Sequence, residues 1–198
     1  MRREPAGAYS ATVGFDALVL AGGQSSRMGR DKAWIEVEGT PLLARQLALL
    51  RTVGANEVFI SGRSGVDYRT FGYPVIEDAY PDAGPLAGIE RGLARTENRQ
   101  LLVLAVDLPR MTALYLDALV RRGSPERGVV PCINGKLEPL VALYPKGAHP
   151  IAARALAEHA YSVQQFAHAC RLESLVEFMD VPAADQRVFL NFNTPGDL

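Results

Sequence analysis

The segment Phe15–Leu20, FDALVL, runs without a break into Ala21-Gly22-Gly23, and this junction constrains the fold more than any other part of the chain. Valine and leucine in a short run suit a strand covered on both faces, and the glycines permit an abrupt turn with backbone open to a ligand. The pattern predicts a buried strand that ends in a ligand-facing loop. Leu42, Leu43, Leu47, Leu50 and Val53 recur at helical spacing, so Pro41–Val53 reads as the following helix, with Pro41 in its first turn and Gly54 as its stop.

Further short apolar segments at Val58–Ser61, Val75–Glu77 and Leu101–Val106 alternate with helical stretches at Ala87–Arg95 and Leu114–Arg122. That alternation favours a layered α/β domain over a helical bundle. Beyond Gly128 the regularity weakens. Strands are predicted at Val129–Pro131, Leu140–Tyr144, Phe178–Val181 and Val188–Phe192, with helices at Ile151–Glu158 and Val163–Cys170. The expected architecture is a single-domain, Rossmann-like, three-layer sandwich. Its sheet is predominantly parallel, with a smaller mixed or antiparallel C-terminal portion forming an edge or small subdomain. Residues 1–14 read as a flexible leader and 15–198 as one domain.

At 198 residues, one compact core is the ordinary outcome. The 21 basic and 22 acidic side chains nearly cancel, and 48% of residues are hydrophobic, which disfavours a disordered tail or a nucleic-acid-binding block. No apolar run approaches the ~18 residues of a membrane span, and Arg2 and Arg3 precede no signal-peptide core. Cys132 and Cys170 stand alone with no Cys/His set for zinc, which fits a reducing, cytoplasmic compartment and buried thiols rather than a nucleophile pair. His149, His159 and His168 are too dispersed for a metal set.

The first chemical signal is LAGGQSSRMGRDK, Leu20–Lys32. Flexible backbone, the hydroxyl of Ser25, and the cations Arg27 and Lys32 follow a strand end, a combination that holds polyphosphate or else forms an ordinary glycine turn with solvated charges. The loop is neither GxxxxGK[ST] nor GxGxxG, so neither a P-loop nor a dinucleotide fingerprint is present. Lys32 can neutralise a β- or γ-phosphate, and Arg27 can clamp the same group or cap a carbonyl. Asp107, at the end of LLVLAVD, either coordinates magnesium bridging substrate phosphates or caps the next helix. Asp78, after Val75-Ile76-Glu77, either approaches the nucleotide or is a solvated loop carboxylate. Gly84 permits a turn and Gly88 a close helix approach. Asn191 and Asn193 in NFNTPGDL offer amides on one face of an extended segment, toward metal, phosphate or substrate, or simply in a polar turn.

This ordered set resembles the molybdenum cofactor guanylyltransferase family of MobA-like nucleotidyltransferases. The matching segments are Leu20–Lys32, VIED at Val75–Asp78, GPLAGI at Gly84–Ile89, DLP at Asp107–Pro109, EPLVALY at Glu138–Tyr144 and NFNTPGDL at Asn191–Leu198. The resemblance spans nearly the whole chain. It implies magnesium-dependent transfer of GMP from GTP to molybdopterin carrying molybdenum, a step of molybdenum cofactor biosynthesis that forms the guanine dinucleotide cofactor and pyrophosphate. Leu20, Ala21, Gly22, Gly23, Ser25, Lys32, Asp78 and Asp107 would contact the nucleotide. Arg27, Lys32 and Asp107 would serve catalysis and Asp107 the metal, with Asn193 a further metal candidate; Glu138, Asn191 and Asn193 are candidates for the pterin side, Glu138 being equally a simple loop carboxylate.

Two departures stand out. The family often places an Asn where Ile60-Ser61-Gly62-Arg63 lies, which bears on guanine or ribose contact, and a Cys where Val106 precedes the metal-associated Asp. Competing classes are cytidylyl transfer to the same pterin, sugar-1-phosphate nucleotidyl transfer and a non-enzymatic nucleotide-binding module. Tyr68, Phe71 and Tyr73 pack either a pterin or the core, and Trp34 stacks on a base or closes the first loop. The partners implied are small-molecule nucleotide and pterin substrates, with neither nucleic acid nor membrane. Oligomeric state, cofactor-delivery proteins and molybdoenzyme-maturation proteins are left open by the sequence.

Overall fold

The structure is a computed structural model that describes residues 14–22, 31–63, 65–77, 80 and 82–191. In chain order the elements are β1 (Phe15–Leu20), β2 (Glu36–Val37), β3 (Thr40–Pro41), α1 (Leu42–Thr52), β4 (Val58–Ser61), β5 (Val75–Ile76), α2 (Pro85–Arg95), β6 (Gln100–Ala105) and α3 (Ala113–Arg122). There follow β7 (Gly128–Ile133), β8 (Lys136–Leu137), β9 (Val141–Pro145), α4 (His149–Ala157), α5 (Val163–Leu172) and β10 (Val176–Asp180).

The main sheet has the order β10-β7-β9-β6-β1-β4-β5, with β8 paired to β7, while β2 and β3 form a separate hairpin. Every neighbouring pair along that path is parallel except the two made by β9. The antiparallel element is therefore neither an edge nor a subdomain, as the sequence suggested, but sits between β6 and β7. Its cause is connection length: β7 reaches β9 through the tight β8 hairpin, and a parallel return needs a crossover of a dozen residues or more.

Side chains alternate between two cores, as pleating requires. On β1, Phe15, Ala17 and Val19 join the layer of α1 and α3, while Leu18 and Leu20 join the layer of α2, α4 and α5. The three-layer expectation holds. Helix α1 buries Leu42, Leu43, Gln46, Leu47 and Leu50 on one stripe, and α3 is capped by Thr112, whose hydroxyl accepts from Tyr115 N at 3.2 Å. Helix α2 rides unusually close to the sheet. A methyl at Gly88 would collide with Ser61 Oγ, and one at Gly92 would lie 2.8 Å from Leu101 Cδ2.

One predicted strand is absent. Val188–Phe192 was expected to be extended, yet Gln186–Phe189 is a 3-10 turn and Phe192 lies outside the described residues. Val188 and Phe189 are both buried, which a single turn against α3 achieves and an edge strand with alternating faces does not. The 1–14 leader falls almost wholly outside the described residues. No described helix is long and apolar enough to cross a membrane.

Candidate active site

The chain leaves β1 toward β4 and β5 on one side, then returns to place β6 on the other. Between β1 and β6 the strand order reverses, and in open parallel sheets the crevice beyond the carboxyl ends at such a switch point is where ligands bind. Here those ends carry the residues that the sequence singled out. Lys32, in the 3-10 turn Lys32–Trp34 after β1, donates from Nζ to Asp107 Oδ2 at 2.9 Å, two residues past the end of β6. Their side chains are 22% and 24% exposed, so the pair faces the crevice while staying partly shielded.

Local structure fixes both partners. The Asp31 carboxylate caps the Lys32 turn by accepting from Ala33 N at 3.0 Å, and it also accepts from the Tyr68 hydroxyl. Tyr68 in turn accepts from Arg63 N at 3.4 Å, and its ring fills the space beside Gly62, where a Cβ would clash with it. Burial, reinforced by Asp31, pushes the Tyr68 hydroxyl well above its usual range, which keeps it a donor. On the other side, Gln46 Nε2 donates to Leu108 O at 2.8 Å and reaches Val106 O at 3.5 Å. Val106 N donates to Leu20 O at 3.2 Å, which ties the Asp107 turn to the end of β1.

The backbone donors of Ala21 and Gly22 are committed to Ser61 O, at 2.8 and 3.0 Å. Neither N–H is therefore free to cradle a phosphate. Gly22 also approaches β4 so closely that a Cβ would lie 3.3 Å from the Gly62 carbonyl carbon. The departure at Ile60-Ser61-Gly62-Arg63 thus forms the wall that holds Ala21 and Gly22.

Glu138 stands at the same sheet edge, because β9 begins there: Val141 pairs with Leu104 and Ala105 N donates to Leu140 O at 2.8 Å. Burial raises the Glu138 carboxyl above the usual range, with Lys136 opposing the shift in part. Asn191 follows the Gln186–Phe189 turn, and Phe189 packs edge-on against Tyr115 of the first turn of α3, ring centroids 5.1 Å apart. Leu20, Ala21, Gly22, Lys32, Asp107 and Glu138 are thereby brought to one edge of the sheet, and Asn191 is exposed two residues past Phe189. Gly23, Ser25, Arg27, Asp78 and Asn193 lie outside the described residues.

One open alternative closes: Tyr68 is a core residue bonded to Asp31 rather than an exposed stacking platform. Trp34, 43% exposed, ends the turn that bears Lys32 and packs on Phe71 with ring centroids 4.7 Å apart. The sequence did not point to Gln46 as a site residue, nor to Tyr68 as the partner of Asp31. Gln46 had a signal, a polar side chain inside the apolar stripe of α1. Tyr68 had none, since its partner is 37 positions away.

A paired lysine and aspartate at the switch point of an α/β sheet suit a nucleotide-handling site. Residues 17–173 match the family model described as MobA-like NTP transferase domain. The chain is 35% identical over 182 residues to "Probable molybdenum cofactor guanylyltransferase" of Opitutus terrae, covering 90% of each chain. It is 31% identical to the molybdenum cofactor guanylyltransferase of Pseudomonas putida GB-1, over 90% of this chain and 92% of that one. The crystal structure of molybdopterin-guanine dinucleotide biosynthesis protein A from Archaeoglobus fulgidus shares the fold at TM-score 0.72 and 22% identity, covering 92% and 94% of the two chains. The protein belongs to the MobA-like nucleotidyltransferase family.

Proposed function

We propose that the protein transfers GMP from GTP to molybdopterin carrying molybdenum, forming the guanine dinucleotide cofactor and pyrophosphate. The observation that carries this is the Lys32–Asp107 contact at 2.9 Å across the switch point, in a chain whose curated relatives are named for that reaction. The terminal phosphate of the pterin attacks the α-phosphorus of GTP. A new P–O bond forms, the bond from α-phosphorus to the α,β-bridging oxygen breaks, and pyrophosphate leaves. No acid–base residue is required, because positioning and charge stabilisation carry such a displacement.

Lys32 supplies a compact positive charge to the nucleotide phosphates, and Arg27 adds a second. In the free protein the Lys32 ammonium occupies the cation-accepting side of Asp107, so nucleotide entry exchanges one partner of that carboxylate for another. Asp107 suits magnesium: this metal is commonly held by one or two carboxylates plus substrate phosphates, and no cluster of three or more acidic, His or Cys residues exists among the described residues to suggest a protein-only cage. When bound there, magnesium would neutralise charge on the departing pyrophosphate. Leu20, Ala21 and Gly22 contact the nucleotide through surface and carbonyl oxygens, their loop-facing amides being engaged elsewhere. Gly23, Ser25 and Asp78 complete the nucleotide contacts, Asn193 assists the metal, and Glu138 and Asn191 line the pterin side. Residues 15–198 act as one catalytic domain, in the cytoplasm.

The test is product-resolved turnover. Purified protein is incubated with magnesium, molybdopterin carrying molybdenum and either GTP, CTP or ATP, and the dinucleotide is weighed by mass spectrometry. GTP alone should yield product. A dinucleotide formed only with CTP, or magnesium-dependent nucleotide binding with no product, would reject the assignment.

A further inference from the structure

Gln46 has no exposed surface, yet it lies on the apolar stripe of α1 among Leu42, Leu43, Leu47 and Leu50. Its Nε2 donates to the carbonyls of Val106 and Leu108, the two residues that flank Asp107. The amide can face only one way, since reversing it would aim Oε1 at two carbonyl oxygens. In that orientation Oε1 has no hydrogen-bond partner among the described residues. A buried, unpaired acceptor is unfavourable, so stripe-filling alone does not account for a glutamine here.

The turn it grips is otherwise held from one side, by Val106 N donating to Leu20 O and by the local bond from Met111 N to Leu108 O at 3.1 Å. Gln46 adds a hold from the helix layer, on both shoulders of Asp107. We propose that Gln46 is a positioning residue for the reaction: it fixes the turn so that the Asp107 carboxylate meets Lys32, and in turn the nucleotide with its metal. The inference rests on the role given to Asp107 under the proposed function.

Gln46→Met keeps length and burial while removing the donor. Removing an outer partner of a metal-binding group typically costs roughly 10–100-fold in metal affinity or activity. The expected result is a fall in kcat and a rise in the magnesium concentration for half-maximal turnover, each within that range, with KM for the pterin substrate unchanged. Amide hydrogen exchange, which needs no substrate, should quicken across residues 106–112 while β1 and β4 stay protected, and the thermal midpoint should hold. Gln46→Leu, which also lacks the donor but fills the stripe with a different shape, is the second arm and should loosen the same turn.

Wild-type exchange across 106–112, or wild-type turnover, in Gln46→Met overturns the proposal. So does failure of both variants to fold, which would make Gln46 a core residue only. Asp107→Ala run alongside separates the two levels. Unchanged turnover in Asp107→Ala refutes the reading of the site, and an inactive Asp107→Ala beside an unimpaired Gln46→Met refutes this inference alone.

Discussion

Asp16 and Asp107 belong to adjacent strand segments and face opposite fates. Asp16, at the start of β1, is 1% exposed and accepts hydrogen bonds from Thr96 Oγ1 at 2.6 Å, Asn98 Nδ2 at 2.8 Å and the backbone N–H groups of Glu57, Glu97 and Asn98 at 3.0–3.4 Å. Asp107, beyond the end of β6, accepts from Lys32 and is partly exposed. A carboxylate has about four lone-pair sites. The lower one is saturated by fixed donors and knits β1 to the turns before β4 and β6; the upper one keeps sites open, which under the proposed function lets it exchange Lys32 for a ligand's cation. Burial with full satisfaction makes structure, and partial exposure with one movable partner makes a site.

The contrast predicts a crossed result, and the largest effect lies at the top. Asp107→Ala should lower kcat for nucleotidyl transfer by about 10³-fold, equivalent to ~4 kcal/mol at 1.36 kcal/mol per decade. Its thermal midpoint should stay within a few degrees of wild type, because an exposed ion pair contributes little to stability. A folded Asp107→Ala with ordinary turnover would break the comparison at once. Asp16→Ala should do the reverse: losing several charge-assisted hydrogen bonds costs about 3 kcal/mol or more, seen in urea denaturation as a lower midpoint at unchanged slope. What remains folded at low temperature should turn over normally.

Asp31 lies between these extremes, at the upper edge but committed to Ala33 N and the Tyr68 hydroxyl. Tyr68→Phe deletes that hydroxyl without opening a cavity and leaves Arg63 N and Asp31 each one partner short. It should cost about 1 kcal/mol in stability, the worth of a typical hydrogen bond. Turnover should fall several-fold through looser placement of Lys32. Equal stability and equal turnover would show that the Lys32 turn needs no support from Tyr68.

These distinctions were unequally visible in the sequence. β1, β4, Lys32 and Asp107 were legible because apolar runs ending in glycine or in a lone charge carry both the strand and its boundary. The place of β9 was not, since strand order depends on pairings distant in sequence: Val141–Pro145 reads alike at an edge or between β6 and β7. Val188 and Phe189 misled for a related reason. Two adjacent apolar residues suit a buried strand or one turn of helix, and only Tyr115 of α3 decides between them. Asp16 carried a latent signal, a charge inside FDALVL, but the donors that explain it come from positions 57 and 96–98.

Glu138 offers the smallest effect and the finest division of the comparison. It shares the upper edge with Asp107, yet among the described residues it has no hydrogen-bond donor, and burial raises its carboxyl above the usual value. A carboxyl whose pKa is higher in the folded state than in the unfolded chain binds its proton more tightly when folded. Its favourable contribution is thus present at pH below the unfolded value of about 4.3, and it is lost as pH rises through the raised folded value. Glu138→Gln cannot ionise and escapes that loss. The difference in thermal midpoint, Glu138→Gln minus wild type, should therefore grow between about pH 4 and neutrality and then level off, with a total gain below ~1 kcal/mol because the side chain is only half-buried. A difference that stays flat with pH would show that burial does not weigh on the Glu138 carboxyl. A difference that shrinks would show that donors favouring its charge hold the Glu138 carboxylate.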